Sequence, residues 1–504
     1  MGHLPEPKRN DIGRLHLSAT HVLDNALLSA TVPMTQVTSG PPSASFLRRA
    51  LIPLALAQFI CSFAGSNMNV MINDISQDLN TTVKGVQSAI TIFLLVMAAL
   101  MIPGGKLTVR WGRKRCFTIG LIIYAVGAVL SALSPGLGVL ILGNSILEGI
   151  GTAMLIPPVY ILTTLLFTEV TSRARAFGAI SGLGGIGAAA GPLLGGLITT
   201  AISWRAAFIF QALVIVVILF LSRKIEDPLP PDPTSHLDML GTVLSAVGLV
   251  LVVMGIQVAA DNLWWTLVMV VAGALVLTWF FVHIRSMERS GREPLLSTSL
   301  FRNRTSNFAL VTQNVQWLLL LGTAFVVSAY LQVVRGYNAI QTGVIFTAAT
   351  AGILLSSLGA ERFAKRRAQR TLIIAGFVLT LVGVGILVAM VATAQSVWAF
   401  APGLFFIGFG CGAMLTPSVN VVQSSFVESQ QGEISGLSRA VSNLGSTFGT
   451  AIAGTILVAE IVEGDKSYGL SMIVLGVAGL VGLVAALFLP RQLTVARSEA
   501  PAPT

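Results

Sequence analysis

Gly138-Val-Leu-Ile-Leu-Gly-Asn-Ser-Ile-Leu-Glu-Gly-Ile-Gly-Thr-Ala-Met-Leu-Ile-Pro-Pro-Val-Tyr-Ile-Leu-Thr163 is an apolar run with one charged residue, Glu148. About 20 such residues at ~1.5 Å each cross the ~30 Å hydrocarbon core of a bilayer as a helix. Runs of this kind recur at roughly 50–73, 86–108, 116–135, 138–163, 177–200, 205–222 and 239–259, then at 264–284, 307–333, 340–359, 371–392, 396–419, 434–459 and 468–489. That makes fourteen. Composition agrees: 54% of the 504 residues are hydrophobic and only 10% charged, with a mean hydropathy of +0.82. A soluble domain carries about 25% charged residues, so lipid is the expected solvent. Open strands are excluded because lipid cannot satisfy their unpaired backbone groups. The three cysteines, Cys61, Cys116 and Cys411, lie in apolar runs without C-x-x-C spacing, which points to neither a disulfide framework nor a metal site.

Charge sets the expected topology. With both ends in the cytoplasm, the inner loops collect Arg48, Arg49, Lys106, Arg110, Arg113, Lys114, Arg115, Arg173, Arg175, Arg223 and Lys224. The run Arg285–Arg304 and the cluster Arg362, Lys365, Arg366, Arg367 and Arg370 join them there. Only Lys84, Arg205, Arg335 and Lys466, 4 of the 31 basic residues, fall outside. The positive-inside rule accounts for this asymmetry and for the net charge of +10. Nucleic acid is not needed to explain it. Residues 1–49 and 491–504 are expected to be disordered cytoplasmic tails, with Met34 an alternative start, and 227–234 a stiff Pro-rich connector.

The chain also repeats itself. Gly149, Gly151 and Pro158 align with Gly408, Gly410 and Pro417 at an offset of 259, and Ser181, Gly182, Gly191 and Gly195 align with Ser435, Gly436, Gly445 and Gly449 at 254. A six-helix bundle over 50–222 and a parallel copy over 307–490 are therefore expected, with two additional helices inside a linker at 223–306. Such paired repeats form transporters that work by alternating access around a midplane site.

Three stretches resemble the major facilitator superfamily, in its fourteen-helix drug:proton antiporter branch. The loop Gly105-Lys-Leu-Thr-Val-Arg-Trp-Gly-Arg-Lys-Arg115 is similar to the signature G-x-L-A-D-R-x-G-R-K. The resemblance makes Gly105, Arg110, Gly112, Arg113 and Lys114 a gating loop, although Val109 replaces the family's Asp. Gly187-Ala-Ala-Ala-Gly-Pro-Leu-Leu-Gly-Gly196 matches the antiporter motif G-x-x-x-G-P-x-x-G-G, with Gly187, Gly191, Pro192, Gly195 and Gly196 in place. Glycines one turn apart permit close helix approach, and Pro192 bends the helix. Gly182, Gly184 and Gly187 also spell G-x-G-x-x-G, but no strand precedes them and they are not a dinucleotide site. Asn144-Ser-Ile-Leu-Glu148-Gly-Ile-Gly151 is similar to R-x-x-Q-G-x-G, with Ser145 for the Arg and Glu148 for the Gln. In the first span Ala64 stands where an Asp is typical.

Glu148 is the one carboxyl near a midspan, about 15 Å deep. Ionising it there costs roughly 2.5–3.5 kcal/mol or more, so it is expected to stay protonated much of the time. Two roles fit: a proton carrier, or a hydrogen-bonding bridge between helices in place of the family's Gln. Asn67, Asn69, Asn144, Ser145, Gln211, Gln313, Asn314, Gln316 and Trp317 are the candidate lining of a substrate cavity, and interhelical hydrogen bonding is the alternative for each polar one. Ser62, Ser66 and Asn73, which share a face of the first span with Asn69, are further candidates for the cavity lining. A mostly apolar cavity with one carboxyl favours lipophilic cations or neutral drugs.

The expected function is proton-coupled efflux of hydrophobic or amphiphilic small molecules, by a monomer in a bacterial-type inner membrane. The alternative is an uncoupled facilitator, a lipid mover or an exporter of one endogenous metabolite. An enzyme is not indicated, because H-E-x-x-H, G-x-S-x-G and P-loop motifs are all missing. The expected partners are the small-molecule substrate, protons and membrane lipids, with no cofactor, no metal and no nucleic acid.

Overall fold

Helices account for the long elements of the computed structural model, which describes residues 2, 44–167, 170–232, 237–259, 261–364, 369–391, 396–426, 430–458 and 466–491. The chain divides into units Met1–Ala44 and Ser45–Thr504, and the helical bundle forms the second. Most of both expected tails, the basic cluster Lys365–Arg367 and the side chains of Arg173, Arg175 and Arg362 lie outside the described residues.

Among the described residues, fourteen long helices follow one another. The first six are α1 (Ala44–Asn67, continued through a tight turn at Met68–Met71 into Ile72–Asp78), α2 (Val83–Trp111), α3 (Arg113–Ala132), α4 (Leu137–Leu140, widened over Ile141–Glu148, then Gly149–Leu166), α5 (Val170–Ala201) and α6 (Trp204–Ser222). Then come α7 (Met239–Val258) and α8 (Leu263–Arg289). The last six are α9 (Arg304–Ala329, widened over Tyr330–Val334), α10 (Ala339–Ala364), α11 (Gln369–Val391), α12 (Ala401–Ser424), α13 (Gln431–Val458) and α14 (Lys466–Leu487). Twelve are long and apolar enough to cross a membrane, and α5 is a thirteenth if its two halves, bent by 43° where Pro192 withdraws a backbone donor, count as one span. The remaining helix, α13, falls short because Ser438, Arg439, Ser442, Asn443, Ser446, Thr447 and Thr450 break its apolar run.

Glycine contacts show the repeat in three dimensions. A Cβ on Gly187, Gly191 or Gly195 of α5 would strike Phe59, Ser66 or Asn67 of α1, and one on Gly445 or Gly449 of α13 would strike Asn314 or Leu318 of α9. Likewise Gly151 of α4 abuts Gly120 and Tyr124 of α3, while Gly410 of α12 abuts Gly376 and Thr380 of α11. Each half therefore uses the same backbone-to-backbone contacts, the kind that hold helices together in lipid. The two halves meet along α5 with α10, where Gly196 touches the Ala339 carbonyl and Gly343 the Pro192 carbonyl, and along α2 with α13, where Gln87 Nε2 donates to the Thr450 carbonyl at 3.4 Å.

The added pair attaches at the second seam. Val253 of α7 packs with Leu95 of α2 and Ala451 of α13. Ser88 Oγ donates to Gln257 Oε1 at 3.1 Å, and Thr455 Oγ1 donates to the Ile256 carbonyl at 2.9 Å. Outside it, α8 packs mainly on α7 and exposes Leu267, Val271, Leu275 and Val282, a surface suited to lipid.

One acid from the connector organises the basic end of the bundle. Asp227 Oδ2 accepts from the backbone N–H of Arg113 at 2.6 Å and of Lys114 at 3.3 Å. These are first-turn donors of α3 with no intrahelical partner, and the carboxylate also complements the positive helix end. Gly112 makes the approach possible: its φ is +93°, and a Cβ there would meet Pro231 at 3.3 Å and Asp227 at 3.4 Å. Asp227→Ala should therefore cost about 1 kcal/mol, seen as a lower unfolding midpoint of the purified protein in detergent. An unchanged midpoint would show that the cap contributes nothing.

Candidate functional site

Between the halves lies a cavity walled by Gln58, Cys61, Ser62, Gly65 and Ser66 of α1, Leu94, Met97 and Met101 of α2, and Thr152 and Ile156 of α4. Ala188 of α5, Trp317 and Leu321 of α9, and Arg439, Asn443 and Ser446 of α13 complete it. The cavity volume is about 60 Å³, room for a few waters, so a drug-sized molecule needs the halves to part. They are joined away from the basic end: Ser328 Oγ and Gln332 Nε2 both donate to the Asn69 carbonyl, the second at 2.7 Å, and the Ile340 N–H donates to Thr200 Oγ1 at 3.0 Å.

Arg439 is the charged group in this wall. Its guanidinium carbon sits 4.5 Å from the centroid of the Tyr160 ring, a cation–π contact. Tyr160 is fixed in turn: its ring stacks on Phe177 and its hydroxyl donates to Gln58 Oε1 at 3.2 Å, while Gln58 Nε2 donates to Ser62 Oγ at 3.1 Å. The sequence counts Arg439 only among the basic residues of the inner side. The available signal was an arginine just over one turn inside the expected span 434–459, among serines at helical spacing.

Glu148 is fully buried but does not line the cavity. It ends the widened stretch of α4, against Gly127 of α3, whose missing side chain lets the two backbones touch. Oε1 lies 3.5 Å from Ser131 Oγ, the Tyr124 hydroxyl is adjacent, and Oε2 has no partner. Tyr124 also donates to Gln211 Oε1 at 2.5 Å. No basic side chain pairs with Glu148 among the described residues. Its route to the cavity is short, because Thr152, one turn on, and Cys61, which faces both Thr152 and Glu148, belong to the wall.

Of the residues expected around a substrate, Trp317 lines this cavity, as do Ser62 and Ser66 from the polar face expected on the first span. Several of the others tie helices together. Ser145 Oγ donates to the Ala89 carbonyl at 2.7 Å, Gln313 Oε1 accepts from Ser438 Oγ at 2.8 Å, and Asn314 Nδ2 donates to the Val441 carbonyl at 2.8 Å. Gln316 bridges the Cys411 carbonyl and Ser418 Oγ, at 2.9 and 3.1 Å. Among the described residues the buried side chains of Asn67 and Asn69 have no partner, nor does Nδ2 of Asn144.

The family model of the Major Facilitator Superfamily matches residues 54–337 and 315–504. The chain belongs to that superfamily. It is 28% identical to the puromycin resistance protein pur8 of Streptomyces alboniger over 81% of each chain. It is 26% identical to the multidrug efflux pump LfrA of Mycolicibacterium smegmatis, over 86% of this chain and 84% of that one. The probable actinorhodin transporter of Streptomyces coelicolor is also 26% identical, over 86% of this chain and 76% of that one. Among solved structures, the peptide transporter POT in complex with sulfate has the same fold, with a TM-score of 0.62 over 92% of this chain and 97% of that one, at 16% identity.

In this superfamily member the signature loop splits its contacts. Lys106 reaches across to the other half, with Nζ 3.1 Å from Glu433 Oε1 at the start of α13. Arg113 and Lys114 turn to the connector instead: Arg113 donates to the Pro230 carbonyl at 3.2 Å and Lys114 Nζ to the Arg223 carbonyl at 3.0 Å. Arg110 is exposed, and Val109 carries no charge to lock against α13. Lys106–Glu433 is thus the cross-half ion pair among the described residues. Lys106→Glu should impair transport by leaving two like charges facing, and Lys106→Glu with Glu433→Lys should restore it, as read by substrate flux in reconstituted vesicles. A double variant no better than the single one would show that the pair does not couple the halves.

Proposed function

We propose that this chain exports hydrophobic or amphiphilic small molecules in exchange for protons, by alternating access, as a monomer with its basic end at the cytoplasmic face of a bacterial-type inner membrane. Efflux draws support from the relatives named as resistance proteins and efflux pumps. Orientation rests on the positive-inside rule. Coupling rests on one observation: a buried carboxyl without a basic partner, Glu148, one helical turn behind the cavity wall at Thr152.

Protonating and deprotonating Glu148 changes the charge held between α3 and α4. The neutral acid needs only the neighbouring hydroxyls of Ser131 and Tyr124; the carboxylate has no counter-ion and carries the desolvation cost of a lone buried charge. Opening toward water would relieve that cost. A proton on Glu148 can thereby bias which face is open, which is the requirement for coupling a carrier to a gradient.

The uncoupled reading has its own observation. Ala64, Val109 and Ser145 replace an Asp, an Asp and an Arg of the resembling motifs, and Glu148 lies against Ser131 as a structural bridge would. Inverted vesicles energised to an acidic interior separate the two. Adding members of a panel of lipophilic compounds should release protons with the wild type, and Glu148→Gln should reduce that signal roughly tenfold or more. Transport of compound with no proton movement in either protein would overturn coupling and leave a facilitator.

A further inference from the structure

The charge that faces the cavity is positive. Among the described residues none accepts a hydrogen bond from an N–H of Arg439 and no carboxylate pairs with it; what holds the guanidinium is the Tyr160 ring. The nearest acid along α13, Glu433, is engaged by Lys106. Glu148 lies ~18 Å from Tyr160 along α4, counted at the helical rise. A cation partly withdrawn from water into the cavity wall and left without an anion is costly, and it makes the cavity a place where an anion is welcome. The contact with the Tyr160 ring occupies none of the guanidinium's N–H donors in a hydrogen bond, and those donors form a fork matched to a carboxylate.

From this arrangement we propose that the cavity selects amphiphilic organic anions, with Arg439 pairing the carboxylate of the substrate. Gln58 and Asn443 stand on the same wall as further hydrogen-bonding groups, and Trp317, Leu94, Met97 and Leu321 form the apolar surface for the body of the molecule. Those apolar walls disfavour a small hydrated anion, and the guanidinium repels the lipophilic cations that a cavity with one carboxyl would have drawn. This assignment rests on the export reading for its physiological meaning, but it concerns binding and can be tested without transport.

The test uses two dyes of similar size and opposite charge, fluorescein as the anion and rhodamine 123 as the cation, added to the full-length protein in lipid nanodiscs. Quenching of Trp317 emission reports cavity occupancy, taken as the difference between proteins with and without Trp317→Phe. Fluorescein is expected to bind more tightly than rhodamine 123. Arg439→Gln should weaken fluorescein at least roughly tenfold, the cost of one charge-assisted pair, while rhodamine 123 binds no worse. Arg439→Lys, which keeps the charge and loses the fork, should fall between and also shows that the site folds without arginine. Preference for rhodamine 123, or equal fluorescein binding by wild type and Arg439→Gln, would overturn the anion assignment and leave export standing. Fluorescein binding that depends on Arg439, with no flux in vesicles, would keep the assignment and overturn export. Binding of neither dye would overturn the assignment, and the vesicle flux of the compound panel would then decide export alone.

Discussion

Helix backbones in direct contact at glycine are the constraint on which the rest of this protein depends. In lipid, bringing two apolar helices together gains little from the hydrophobic effect, and the attraction comes from close packing. Gly187, Gly191 and Gly195 give that contact between α5 and α1, and Gly445 and Gly449 give it between α13 and α9. Other faces of the same helices reach the other half: Gly196 meets α10, and α13 meets α2. Helices whose contact is smooth on both sides can slide without breaking interlocked side chains, which is what rocking two halves past each other demands.

Smooth seams leave polar groups to set where the halves stop. Away from the basic end, Ser328, Gln332 and Asn69 join them by hydrogen bonds; at the basic end the joining contact is Lys106 with Glu433. The signature loop has Val109 where the resembling motif has an acid, and two of its basic residues, Arg113 and Lys114, are drawn to the connector at Asp227, Pro230 and Arg223. One ion pair and one capped helix thus share a task that the resembling motif concentrates in a single loop.

Much of this was legible in the sequence, for physical reasons that also mark where legibility ended. Apolar runs of bilayer length are written residue by residue, so helices were found at all fourteen expected positions, including α13, which is too polar to pass on apolarity. The repeat was legible because packing at Gly151 and Gly410 tolerates no larger residue. Which way a buried polar side chain turns is a matter of helix rotation and neighbours, and nothing local encodes it. Gln316 therefore binds Cys411 and Ser418, and Ser145 binds Ala89, on helices that the sequence alone could not place beside them. Arg439 was overlooked for a related reason: near the end of a span, a positive residue looks like a topology signal until the depth of the facing Tyr160 is known.

Helix α4 connects two ionisable groups of opposite sign, with buried Glu148 against α3 at one level and Tyr160 holding the half-buried Arg439 at another. This separation matters more than either charge alone. Close together they would neutralise each other as an ion pair, and neither would have reason to bind a proton or a substrate. With Glu148 ~18 Å along α4 from the Tyr160 that holds Arg439 of α13, each remains uncompensated and, on the proposed readings, open to its own ligand, a proton for Glu148 and an anion for Arg439. The membrane potential then acts on both in the same sense. An anion leaving a negative interior and a proton entering it each move down the potential, gaining ~2.3 kcal/mol per 100 mV per charge. Two sites that discharge in the same direction would let a carrier work against a steep substrate gradient, and would explain how one could tolerate the loss of the charged groups replaced by Ala64, Val109 and Ser145.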